Sequence, residues 1–149
     1  MQTRKYDDTI RVHEGDFSKE KWNGNLIEIL FLDVCKSERL NAHALTEFTP
    51  YLIPWQSILL QQDFFHEWHP YIHWTLQYLR EYLSIEASKI DATRVYRLRA
   101  SIPESMLKRI AVDDFSKEEK VELLEELARE SDEVANLESL FWDPQPPRL

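Results

Sequence analysis

Apolar and polar residues alternate over 10–14 (IRVHE) and the run stops at Gly15 and Asp16, a pattern that predicts a short strand ending in a turn. Residues 18–25 are polar around Trp22 and read as a loop or a single helical turn. Residues 26–33 (LIEILFLD) are almost uniformly apolar, with β-branched and aromatic members, which predicts a central strand covered on both faces. Residues 37–48 place Leu40, Ala44, Leu45 and Phe48 on one side of a helix, and Pro50 and Pro54 end it. Residues 57–62 (SILLQQ) predict a second buried strand, closed by Asp63. From 70 to 83, Ile72, Leu76, Leu79 and Leu83 recur at helical spacing, and Pro70 suits the first turn, where no N–H is needed. Segments 85–89 and 94–99 flank Asp91, Ala92 and Thr93 as an antiparallel pair. Ser101 with Glu104, and Ser116 with Glu119, have capping-box spacing and announce two helices.

Strands alternating with helices predict an α/β fold whose sheet is mostly parallel, joined by right-handed crossovers and closed by the antiparallel pair. Residues 1–100 form the expected α/β domain and 101–142 a helical extension. The extension ends in an apolar patch of Leu137, Leu140 and Phe141, and the proline-rich residues 143–149 read as a flexible tail.

Composition narrows the setting. The chain has 149 residues, 18 Lys and Arg against 27 Asp and Glu, and a net charge of −9. An acidic chain with no basic block repels phosphate backbones, which argues against a nucleic-acid partner. Charge interrupts the apolar runs far short of the roughly 20 residues a membrane span needs. The start, MQTRKYDDT, has no apolar core and is not a signal peptide. Cys35 is the single cysteine and lies in an apolar run, so it reads as a buried inert thiol in a cytoplasmic protein. Gly15 and Gly24 are the only glycines, where average usage of about 7% predicts roughly ten. Two isolated glycines make neither a G-x-G-x-x-G fingerprint nor a Walker A loop.

Ligands of open parallel sheets bind beyond the carboxyl ends of the strands. The three expected parallel strands finish on Asp16, Asp33 and Asp63, which predicts three carboxylates along one rim. Such a rim can accept hydrogen bonds from a ligand or hold a hard cation such as Mg²⁺; aspartate is also a common strand terminator and helix cap. A second group is His66, His69 and His73. His69 and His73 are four apart across a helix start, a spacing that can set two imidazoles on one face and, with His66 and Asp63 nearby, could ligate zinc or iron. Histidine as a residue type also titrates near neutral pH, which makes any of the three a candidate general base. The run lacks the H-E-x-x-H order and any cysteine pair, so a loop and first helical turn with aromatic packing and partly exposed imidazoles is the simpler reading. Trp68, Tyr71, Trp74 and Tyr78 suit a core, a substrate pocket or an oligomer face.

Taken in order, residues 10–99 resemble the C-terminal half of a class I S-adenosylmethionine-dependent methyltransferase. Val12 to Phe17 resembles the end of that fold's third strand, with its adenine-side acid at Asp16. Residues 27–33 resemble the fourth strand, whose final acid faces cofactor and substrate. Residues 52–63 resemble the fifth strand and its preceding turn, with Trp55 where the family has glycine. The helix from Pro70 and the pair around Asp91 resemble the last helix and strands six and seven. The resemblance implies S-adenosylmethionine at Asp16, Phe17 and Asp33, Mg²⁺ at Asp33 and Asp63, a small-molecule acceptor, and a base among His66, His69 and His73. The first two strands, the glycine-rich loop and the ribose-binding acid have no counterpart here. The expected protein is therefore inactive unless a complementing chain supplies them. The alternative is a non-catalytic module, a homo-oligomer or partner binder, built on the same remnant.

Overall fold

The computed structural model describes residues 10, 12–66, 68–90 and 92–130. They form strand β1 (Ile29–Leu32), helix α1 (Glu38–Phe48), strand β2 (Ile58–Gln61), helix α2 (Pro70–Tyr78), strands β3 (Leu83–Ile90) and β4 (Thr93–Leu98), and helices α3 (Glu104–Ala111) and α4 (Lys117–Glu130). The strands make one open sheet in the order β1-β2-β4-β3. Only β1 and β2 are parallel; β4 runs antiparallel to both β2 and β3. The fold is α/β as expected, but the sheet is mixed and mostly antiparallel rather than mostly parallel. The cause is the short β3–β4 connection, which returns the chain between β2 and β3 in the only direction a hairpin allows.

A further expected strand does not form. Residues 12–16 are irregular and Val12 is exposed, while Arg11 lies outside the described residues. An alternating run becomes a strand only when it pairs, and the outer edge of β1 pairs with no strand among the described residues. That edge also corrects the expectation of a central strand covered on both faces. Leu30 and Leu32 enter the core, whereas Ile29 is 68% and Phe31 56% exposed.

The core fills the other side of the sheet. Leu30, Leu32, Leu59, Tyr96 and Leu98 from the strands meet Ala44, Leu45, Ile72, Leu76, Leu107, Ile110 and Leu127 from the helices. Ser37 caps α1 by accepting from the Leu40 amide at 3.3 Å. The box at α4 is complete: the Glu119 amide donates to Ser116 Oγ at 3.1 Å, and the Ser116 amide donates to Glu119 Oε2 at 2.8 Å. At α3 the box fails, and Pro103 rather than Ser101 stands at the cap. A residue before proline is pushed out of helical geometry, so Ile102 cannot open the helix. Helix α2 stops at Tyr78, short of the expected 83, because Leu83 joins β3 opposite Leu98. Leu83 is buried either way, so periodicity alone does not separate the two outcomes. The apolar patch at 137–141 and the tail lie outside the described residues. No described helix is long and apolar enough to cross a membrane.

Candidate functional site

The parallel pair β1–β2 ends in two acids. Asp33 follows β1 directly, and Asp63 lies two residues beyond β2 in left-handed backbone at φ 58°, a conformation aspartate tolerates. The chain after β1 turns tightly, with the Lys36 amide donating to the Val34 carbonyl at 2.7 Å. The turn brings the Lys36 ammonium onto both acids. Nζ lies 3.0 Å from Asp33 Oδ1 and also donates to Asp63 Oδ2. These bonds, first to Asp63 and then to Asp33, hold the lysine above its ordinary pKa.

Beside the acids stands a chain of rings. The exposed His66 imidazole stacks on His69 at 5.1 Å between centroids. His69 Nδ1 is 2.7 Å from Tyr71 Oη, and Tyr71 Oη is 3.1 Å from the Cys35 carbonyl. A carbonyl only accepts, so the single Tyr71 proton goes to Cys35. Both bonds then form together when His69 donates from Nδ1, which leaves its lone pair on Nε2. Burial, and then the neighbouring His66, hold His69 below its ordinary pKa, so at neutral pH it is an unprotonated acceptor. Burial pushes Tyr71 up to about 12, so the phenol keeps its proton. Burial also pushes the Cys35 thiol up to about 11; this cysteine contributes its carbonyl rather than its sulfur.

The other expected site residues lie elsewhere. His73 is 1% exposed, its ring set edge-on to Phe64 at 4.8 Å and its Nε2 bonded to the Phe64 carbonyl. Burial lowers its pKa to about 4. Asp16 accepts from the Ser18 amide at 3.1 Å and pairs with Lys19 at 3.2 Å, capping its own turn. Phe17 stacks on Phe48 at 5.7 Å and meets His43 at 5.3 Å. The expected three-acid rim is thus a two-acid rim, Asp33 and Asp63, gathered by a lysine. Trp74 and Tyr78 both pack on Phe115, each at 4.8 Å, as part of the helix layer, and Trp68 is exposed. Sequence reasoning missed Lys36 and the part Tyr71 plays. The available signal for Lys36 was its position three residues after the acid that ends β1.

Set beside known proteins, the chain matches no family model, and neither the curated proteins nor the solved structures give a match.

Proposed function

We propose that this chain is one half of a two-part methyltransferase-like unit. It docks through the outer edge of β1 with a polypeptide that supplies the neighbouring parallel strands, and the joined unit acts on a small molecule. The observation that carries the reading is the strand order: a parallel pair, then a reversed hairpin, with the parallel side unpaired among the described residues and apolar at Ile29 and Phe31. Contiguous exposed apolar surface beside an unpaired strand favours a protein partner.

The residues that the resemblance assigns to S-adenosylmethionine are engaged within this chain. Asp16 caps its own turn, Phe17 is packed on α1, and one oxygen of Asp33, Oδ1, accepts from Lys36. In this proposal the cofactor seat belongs to the partner. The contribution of this chain is the rim, where Asp33 and Asp63 orient an acceptor and His69 Nε2 takes its proton. His73, interior and poorly basic, is not that base.

The test is calorimetric titration with S-adenosylmethionine, of the chain alone and of the chain co-expressed with the polypeptide encoded beside it. Binding by the pair only, lost in Ile29→Lys/Phe31→Lys, is the expected result. Saturable binding by the chain alone overturns the two-part reading. The second reading, a self-associating module, is favoured by the same exposed residues. It would give a dimer by light scattering that the double variant dissolves, and no cofactor binding in any mixture.

A further inference from the structure

The acid pair that the resemblance assigns to Mg²⁺ does not fit a divalent ion in this structure. Mg²⁺ is commonly held by one or two carboxylates with water completing its octahedron, so what decides is whether the point the two acids share is open to it. Asp33 and Asp63 do share a point, but it holds the Lys36 ammonium, bonded to an oxygen of each. The lysine is also tethered. It sits three residues after Asp33, in the tight turn closed by its own amide on Val34, and the next residue, Ser37, caps α1. The main chain of Lys36 is thereby held on both sides of the turn, and its Nζ is held by the two carboxylates.

We propose that Lys36 is the built-in cation of this site, standing where a divalent ion would stand, and that the site works without metal. Two carboxylates and one ammonium leave a net charge of −1 at the rim, where a bound Mg²⁺ would leave zero. An ammonium carries three N–H donors. Two reach Asp33 and Asp63, and the third is left for an oxygen of the bound molecule, since the Lys36 side chain is half exposed. The chemistry differs from that of a metal in one respect. A divalent ion acidifies a hydroxyl it coordinates. A lysine bonds an acceptor oxygen and acidifies a neighbouring hydroxyl far less, so removing that proton falls to His69, with Nδ1 fixed on Tyr71. The ligand class that suits this arrangement is a small molecule offering an acceptor oxygen to Lys36 beside a hydroxyl or amine for the acids. The inference about the cation stands apart from the methyltransferase reading, because metal exclusion is measured without activity.

The experiment is titration of the full chain with Mn²⁺, followed by electron paramagnetic resonance, which counts free ion. The parent should show no saturable site at millimolar Mn²⁺. Lys36→Met, which removes the charge and keeps the stem, should gain one saturable site, at least about tenfold tighter than any residual binding by the parent. Adding Asp63→Asn should remove that site again, and Lys36→Arg, which keeps a cation, should exclude the ion as the parent does. Parent binding that Asp33→Asn abolishes would show that metal displaces the lysine, and would overturn the proposal. So would a folded Lys36→Met protein that binds no more Mn²⁺ than the parent.

Discussion

The two edges of the sheet are built in opposite ways. The β3 edge is long and irregular, with register shifts on either side of Ala87 and the charged Glu86 paired to Arg97 at 2.9 Å. Bulges and charges are how proteins stop an edge from recruiting another strand. The β1 edge has neither. Its four residues are apolar, regular and uncharged, and two of them face solvent. One edge is defended and the other is left able to pair. The difference teaches which edge, among the described residues, could accept a further strand.

The contrast is broken or sharpened most strongly by paired truncations. Leu59→Ala, in the strand next to β1 and 1% exposed, should cost about 3 kcal/mol in urea unfolding of the isolated chain. Ile29→Ala, its neighbour on the open face, should cost less than about 0.5 kcal/mol. Comparable losses would mean that the open face is covered in the isolated chain, and the two edges would no longer differ. The same division between interior and rim separates two histidines of one segment. His73 has a folded pKa of about 4, below the usual value of about 6.5, so the unfolded chain takes up that proton first. Its contribution is complete above pH 6.5 and is lost as pH falls toward 4, by up to about 3 kcal/mol. Unfolding measured at pH 7 and pH 5 should show this loss, and His73→Gln should flatten it. An unchanged slope would place the titrating group elsewhere. The smallest effect belongs to the turn that leads into β2. Trp55 adopts φ 64° and is 63% exposed, a conformation that suits glycine. Trp55→Gly should raise stability by at most about 1 kcal/mol, the relieved strain being partly offset by a freer unfolded chain. A clear loss would mean that the Trp55 ring, with the Arg99 guanidinium over it at 5.9 Å, contributes more than the strain costs.

What could be read from the sequence followed from short-range rules. The helix behind Ser37, the box at Ser116 and the antiparallel pair around Asp91 each depend on residues within a few positions of one another. The acids at the ends of β1 and β2 were legible for the same reason. What escaped depends on pairing across the chain. Whether 10–14 becomes a strand is decided by a neighbour, and whether β1 is covered is decided by what lies against Phe31. Lys36 escaped because its partner Asp63 is 27 residues away, and separation in sequence hides a contact that the parallel pairing of β1 with β2 makes inevitable. Helix α3 shows the reverse case, a local signal at Ser101 overruled by an equally local one at Pro103.

The parallel direction of β1 has one more consequence. A strand that joins its free edge in the same direction ends level with Leu32, so its last residues and the loop beyond them arrive beside Asp33. Assembly and completion of the rim are then a single event. In the two-part reading, the number of completed rims would rise with the product of two chain concentrations, so that dilution alone would undo them.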